Sequence, residues 1–272
     1  MRAKAVPADL DARSALPVLE QLVRASARAE LLPRFGAGHS RVKGDGSLVT
    51  AADIGMQARL VDGLYARWPQ IPVLGEEMGE AEQRAALSSR AGVWCLDPLD
   101  GTTNFVNGLP FFAVSLAFLR NGQPLLGLVY DPLREECFSA VSGVGAWLNG
   151  ADLRATDAGS LARSVAAVDF KRLAPELAAR LGAKPPYASQ RSFGACALDW
   201  CWLALGRVQV CLHGGQKLWD YAAGSLILEQ AGGRATACDG SPIRYDRLDP
   251  CSVLAASSGG LYAAWRDWVG GA

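Results

Sequence analysis

The stretch Asp97-Pro98-Leu99-Asp100-Gly101-Thr102-Thr103-Asn104 decides the reading of this chain. It follows an apolar run, Gly92 to Leu96, that predicts a buried strand ending at Asp97-Pro98. Two carboxylates three residues apart on a turn can converge on one cation. Pro98 fixes the backbone between them, the Leu99 carbonyl adds a hard oxygen donor, and Gly101 permits a tight approach of backbone to ligand. If Thr102 opens a helix, its free amides point at whatever the cations hold, and a phosphate suits that place. All the donors are oxygen, which selects Mg²⁺ or Mn²⁺ over zinc. Without metal, Asp97 and Asp100 repel, and one is pushed towards protonation. A purely structural turn has the same spelling. An EF-hand loop starting at Asp97 needs Glu where Gly108 stands. A phospho-aspartate nucleophile needs Asp-x-Asp, not Asp-x-x-Asp.

Outward from this turn, Ile71 to Leu74 reads as a strand ending in Gly75-Glu76-Glu77. Alone, the Glu pair is a solvated turn; beside a metal turn, one of them is a ligand or general base. Trp219 to Ala231 reads as a helix stopped by Gly232-Gly233. Asp220 by itself is an N-cap, and Ala222, Ala223 and Gly224 let that helix sit close to another element. A first helix is expected over Ser14 to Leu32, with Pro17 tolerable only in its first turn. After the polar turn Lys43-Gly44-Asp45-Gly46-Ser47, a second helix starts at Thr50 behind a capping box, Thr50-Ala-Ala-Asp53, with Ile54, Ala58, Leu60, Val61 and Leu64 facing inward. Phe112 to Leu119, Leu125 to Tyr130 and Glu136 to Val141 form an antiparallel meander turning at Asn121-Gly122, with a later hairpin at Asn149-Gly150. Beyond residue 155 come strands at 164–168, 208–212, 234–238 and 252–255, and helices at 175–181, 196–205 and 261–269. The expected fold class is α/β, in layered α+β packing. A soft boundary near residue 150 separates an N-terminal α+β subdomain (1–150) from a C-terminal α/β subdomain (151–272).

The 272 residues are half apolar and one fifth charged, with 27 Lys plus Arg against 27 Asp plus Glu. That composition excludes wholesale disorder, and zero net charge gives no global basic field for nucleic acid or an anionic membrane. Two histidines, His39 and His213, are too few for a multi-histidine metal site. Seven cysteines without a Cys-x-x-Cys pair read as buried thiols in a reducing compartment. The opening segment MRAKAVPADLDARSALP has no continuous apolar core, so no signal peptide is expected, and Phe111 to Leu119 is too short to span a bilayer. The expectation is a soluble, cytoplasmic protein whose tryptophans and Phe111-Phe112 are core or interface aromatics. His39 reads as a solvated loop residue.

Taken together, these segments resemble the inositol monophosphatase family of Mg²⁺-dependent, lithium-sensitive phosphatases. Gly75-Glu76-Glu77 resembles its Gly-Glu-Glu motif. Asp97-Pro-Leu-Asp-Gly-Thr-Thr-Asn-Phe105 resembles its first signature, usually written with Ile at the place of Leu99. Trp219-Asp-Tyr-Ala-Ala-Gly224 with Glu229-Gln-Ala-Gly-Gly233 resembles its second, and Leu48-Val49-Thr50-Ala-Ala-Asp53 resembles its upstream Leu-Val-Thr-x-x-Asp. The resemblance spans roughly Lys43 to Gly233. It implies an αβαβα sandwich of the inositol monophosphatase/fructose-1,6-bisphosphatase type. Glu76, Asp97 and the Leu99 carbonyl would hold a first Mg²⁺; Asp97, Asp100 and Asp220 a second; a third, weaker ion would sit near Glu76, with Mn²⁺ a possible substitute. Thr102 and Asp53 would orient and help deprotonate the attacking water. The amides of Gly101 and Thr102, with the Thr103 side chain nearby, would receive the phosphate, and Lys43 matches a basic residue near the metals in some relatives. Four carboxylates (Glu76, Asp97, Asp100, Asp220) concentrated in one place are expensive unless divalent cations neutralise them. Two ions roughly 4 Å apart activate water and stabilise a leaving alkoxide without a covalent intermediate.

The resemblance also implies a substrate wall at Asp169-Phe-Lys171-Arg172 and His213-Gly-Gly-Gln-Lys217, and a homodimer with possible surface at the Phe111 to Tyr130 meander. Inositol-preferring animal members commonly carry Glu at the place of His213 and His at that of Lys217. The substrate implied by the resemblance is a small phosphorylated metabolite, either an inositol or related sugar phosphate, or, if Lys171, Arg172, Arg191 and Lys217 add positive charge at the site, a bisphosphate such as fructose 1,6-bisphosphate, a 3′-phosphoadenosine nucleotide or NADP. Lys171 and Arg172 read equally well as a solvated surface run, and His213 as a strand histidine without a chemical role. Nucleic acid and membrane are not expected partners. A different class of function is a regulatory or assembly module in which catalysis is incidental; a calcium-binding structural protein is disfavoured by the missing loop ligands.

Overall fold

The computed structural model describes residues 10–38, 40–44, 46–156 and 159–271. His39, Asp45 of the polar turn, and the first nine residues of the opening segment lie outside them.

Asp11 caps the first helix, α1 (Ala12–Glu30), by accepting the Arg13 amide hydrogen bond. The helix thus starts two residues before the expected Ser14, and Pro17 lies beyond its first turn, where its ring removes one internal hydrogen bond. A two-strand ribbon, β1 (Arg41–Val42) and β2 (Leu48–Val49), leads to α2 (Ala51–Arg67). The capping box forms as expected: Thr50 accepts from the Ala52 and Asp53 amides, and Asp53 accepts from the Thr50 amide. It fixes the helix rotation so that Asp53 turns inward with Ala52, Met56, Leu60 and Leu64. Ile54 and Ala58, expected inside, are exposed. Their side of the helix faces away once Asp53 is buried.

The chain continues through β3 (Val73–Gly75), α3 (Glu80–Leu87), β4 (Val93–Asp100), the short α4 (Thr102–Val106), β5 (Ala113–Arg120), β6 (Gln123–Asp131), β7 (Glu136–Val141), β8 (Gly145–Leu148) and β9 (Ala151–Asp152). These seven strands form one sheet in chain order, parallel between β3 and β4 and antiparallel thereafter. Positive φ at both central residues of Asn121-Gly122 and of Asn149-Gly150 marks the tight hairpin turns read from sequence. The second half holds β10 (Val165–Asp169), α5 (Pro175–Ala183), β11 (Ser189–Arg191), α6 (Cys196–Leu205), β12 (Val210–Gln216), α7 (Leu218–Ala231), β13 (Arg234–Thr236), β14 (Cys251–Ala256) and α8 (Gly259–Gly270). Its five-stranded sheet runs β11-β10-β12-β14-β13. Helix α3 and strand β11 were not anticipated: a charged eight-residue helix and a polar three-residue strand carry little periodic apolar signal.

Three apolar clusters define the layers. Residues of α1 and α2 pack on one face of the large sheet. Helices α6 and α7 fill the space between the two sheets. Helices α5 and α8 cover the far face of the small sheet. The order is αβαβα, as the resemblance implied. Helix α7 is buried almost all round, and it lies so close to the large sheet that a Cβ on Gly127 of β6 would meet the Ala223 carbonyl at 2.7 Å. Most of the meander from Phe111 to Tyr130 is buried, and what it leaves open is its turn, where Asn121 and Gln123 are exposed. All seven cysteines are unpaired and five are buried. Among the described residues, no helix is long and apolar enough to cross a membrane.

Candidate metal and phosphate site

The strand ends of the large sheet bring the acidic residues together. Parallel pairing sets Gly75 of β3 opposite Leu96 of β4, and the Glu76 amide donates to the Leu96 carbonyl at 3.1 Å, so Glu76 emerges beside Asp97. The β4–β5 ladder slips between Asp97 and Asp100, an irregularity at Pro98-Leu99 that re-aims the strand end. Asp97 Oδ1 accepts the Leu99 amide at 2.9 Å. Gly101 then takes φ 90°, and a Cβ there would press on the Phe111 carbonyl at 3.0 Å and on Ala195 at 3.1 Å, so this turn requires glycine. Helix α4 does open at Thr102.

Hydrogen bonds that the sequence reading missed finish the cluster. Ser115, the β5 residue paired with Asp97, is buried and donates to the Trp219 carbonyl at 2.9 Å, which pins the start of α7 and hence Asp220 over the Asp97 turn. Asp100 Oδ2 accepts the Ala197 amide at 2.6 Å, the first turn of α6. Asn104, within the quoted turn but unassigned, braces the same junction with 2.7 Å bonds from Nδ2 to the Phe111 and Phe193 carbonyls. Gln83 of α3 donates to the Gly75 carbonyl at 2.8 Å behind Glu76. A serine inside a strand, or a glutamine on an unanticipated helix, offered no signal in isolation.

Electrostatics records how closely the carboxylates gather. Burial, then Glu76, Asp100 and Asp220, push the Asp97 carboxyl far above the usual range. Burial, then Asp100 and Glu76, do the same to Asp220. Asp100 is pushed up to about 7, burial again leading. Among the described residues, no three His, Cys, Asp or Glu side chains are already closed into a metal-ligand group; Asp97, Asp100 and Asp220 are instead each turned to a backbone amide. Lys43 supplies part of the missing cation: its Nζ stands 2.9 Å from Glu76 and 2.6 Å from Glu77. The donors are all hard oxygen atoms, buried and mutually repelling, and this set fits Mg²⁺.

On the other side of the turn, Asp53 of α2 is fully buried and raised by that burial. Thr102 Oγ1 lies 3.2 Å from Asp53 Oδ1 and 3.1 Å from the Leu99 carbonyl, so its single proton chooses between them. The Thr103 side chain is exposed. Of the expected substrate wall, Lys217 precedes α7 and lines, with Lys43, Glu76 and Trp219, a cavity of about 300 Å³. Lys171 and Arg172 are exposed on a turn after β10, and Arg191 is exposed and bonds to Ser189 and the Gln190 carbonyl. His213 is buried in β12, its Nε2 3.1 Å from Asp169.

Alternating αβαβα layers with a buried acidic centre at the strand ends define the inositol monophosphatase type of sandwich. The chain belongs to the inositol monophosphatase family, whose pattern it matches over residues 11–268. It is 37% identical over 227 residues to Nus factor SuhB of Escherichia coli strain K12, covering 80% of this chain and 84% of that protein. The Thermotoga maritima IMPase shares the fold with a TM-score of 0.80 at 26% identity, over 94% of this chain and 98% of that one. An IMPase/NADP phosphatase complexed with Mg²⁺ and phosphate is alike in fold, with a TM-score of 0.81 at 23% identity over 96% and 95% of the two chains. Membership supports a phosphatase that binds magnesium.

Proposed function

We propose that this protein is a Mg²⁺-dependent phosphomonoesterase that hydrolyses a small phosphorylated metabolite, an inositol, sugar or polyol phosphate, with an activated water and no covalent intermediate. The observation that carries the reading is the convergence of Glu76, Asp97, Asp100 and Asp220 from two strand ends and a helix start, each raising the charge burden of the next. Glu76, Asp97 and the Leu99 carbonyl would hold one ion, and Asp97, Asp100 and Asp220 another. Magnesium bound there neutralises the phosphate and acidifies a water. Thr102 Oγ1, fixed by Asp53 and the Leu99 carbonyl, orients the attacking water, and Asp53 receives proton density through it. The Gly101 and Thr102 amides with Thr103 receive the phosphate. Lys43, paired with Glu76 and Glu77, would offer its positive charge to the incoming anion. Seven unpaired thiols fit a reducing cytoplasm.

Phosphate release from inositol 1-phosphate and sugar phosphates with and without Mg²⁺ tests the reading. Wild type should turn over only with Mg²⁺. Asp97→Asn should lose about 10³-fold, the scale of one preorganised electrostatic group. Lithium at millimolar levels or below should inhibit. Equal, metal-indifferent release by both proteins would sink it. A second reading, a regulatory or assembly role, draws on one observation: the E. coli relative bears the name Nus factor SuhB. Wild type inactive on every ester tried, yet folded, favours that alternative.

A further inference from the structure

We infer that the cavity beside the C-terminal half of α7 is a second ligand site, which takes a small zwitterion, an amine-bearing carboxylate of about amino-acid size, independently of the acidic centre.

The cavity lies where α7, the small sheet and the first residue of β6 meet. Helix α7 supplies Ser225 and Glu229, strand β13 supplies Arg234 and Thr236, and the loop 240–245 adds Tyr245. Its volume is about 670 Å³, against about 300 Å³ beside Glu76. A Cβ added at Gly232, Gly240 or Gly259 of its lining would meet no atom within 4 Å, so nothing crowds these positions. Strand β13 is the outermost of its sheet and pairs only with β14. Arg234, Ala235 and Thr236 all line the cavity, although successive side chains of a strand face opposite ways. The cavity therefore meets β13 edge-on, where backbone N–H and C=O groups have no neighbouring strand. The site is separate from the acidic centre: Asp220 and Glu229 lie about 13 Å apart along the axis of α7.

The lining carries two opposite charges that do not satisfy each other. Neither Glu229 nor Arg234 has an ion-pair partner among the described residues. Arg234 lies over the Tyr262 ring, 5.0 Å from its centroid, and the Tyr262 hydroxyl is held 2.8 Å from Thr236 Oγ1. One face of the guanidinium is thereby seated, while its planar N–H fork has no hydrogen-bond partner among the described residues. A carboxylate is its complement. Glu229 stands in the last turn of α7, at the negative end of the helix, and that turn holds no basic residue. A cation is the complement missing there. Tyr245 is buried, with its hydroxyl 3.0 Å from Ser225 Oγ, which in turn lies 3.3 Å from the Ala222 carbonyl. With serine donating to the carbonyl and tyrosine to the serine, the Tyr245 oxygen keeps a lone pair for an N–H donor. Glu229 and Arg234 are each exposed, so water screens either charge alone and a simple cation or anion gains little. A ligand bearing an ammonium and a carboxylate engages both.

Titration calorimetry of the full chain in Mg²⁺ tests the site without reference to turnover. The probes are glycine, β-alanine, 4-aminobutyrate and 6-aminohexanoate, which space the two charges progressively, with butyrate and butylamine as single-charge controls. At least one zwitterion should bind saturably, about tenfold or more tighter than either control. Glu229→Gln and Arg234→Gln should each weaken that binding about tenfold or more, the scale of one charged hydrogen bond, while Asp97→Asn should leave it unchanged. Should Arg234→Gln fail to fold, Arg234→Lys, which keeps the charge but not the planar fork, gives the same comparison with a smaller loss. No saturable binding by any zwitterion, equal binding by a single-charge control, or affinity unchanged in the Glu229 and Arg234 variants overturns the inference. A loss of binding in Asp97→Asn would put the ligand at the acidic centre and overturn it as well.

Discussion

At the scale of single residues, the acidic centre is unfavourable to the fold until a cation arrives. Asp100 has a carboxyl near 7 in the folded chain, against about 4 when unfolded. Between those values the folded protein keeps a proton that the unfolded chain has released, so metal-free stability falls as pH rises from about 4 to about 7. Asp97 and Asp220 shift in the same direction and add to the loss. Melting temperatures in a chelator from about pH 5 to about pH 8 should therefore fall more steeply than those in excess Mg²⁺. Asp100→Asn should flatten the chelator curve. A chelator curve that rises over this range contradicts the account. The residues of this centre were legible because each signature spells its carboxylates contiguously. Ser115 and Gln83 were not, since their role is to hold backbone carbonyls that only the fold brings near.

At the scale of elements, two junctions set the site. The capping box at the start of α2 turns Asp53 inward, and the same rotation exposes Ile54. Thr50→Ala should cost about 1 kcal/mol in denaturant unfolding and should also lower phosphate release, because Asp53 loses the bonds that aim it at Thr102; a stability change with full activity would separate cap from site. The second junction is the bed of α7 on the large sheet. Gly127→Ala forces a Cβ to within 2.7 Å of the Ala223 carbonyl and should destabilise by about 1–3 kcal/mol, read from the urea midpoint; no change would mean the helix rides higher than described. Sequence periodicity located α2 and α7 but misjudged the inward face of α2. A mixed apolar pattern leaves helix rotation open, and here a buried carboxylate rather than an aliphatic stripe decides it.

At the scale of the whole molecule, the α6–α7 layer belongs to both sheets. Its apolar cluster includes Cys95 and Phe138 of the large sheet together with Ala167 and Val253 of the small one. The seven-stranded sheet closes at Asp152 and the five-stranded one opens at Val165, near the soft boundary read at residue 150, yet the shared layer ties the halves. Unfolding by urea should therefore be a single transition, with far-ultraviolet circular dichroism and tryptophan fluorescence coincident; two separated transitions would favour independent subdomains. The αβαβα order was legible only through the resemblance, because element type and sequence order alone do not say which helices lie between the sheets.

The account turns on acidic side chains from β3, β4 and α7 sharing divalent ions. Crystals soaked in Mn²⁺ and measured for anomalous scattering test this most directly. The prediction is a peak bonded by Asp97, Asp100 and Asp220 together, with a second peak between Asp97, Glu76 and the Leu99 carbonyl. No peak at the Asp97 turn, or an ion there that leaves Asp220 unbound, would contradict it.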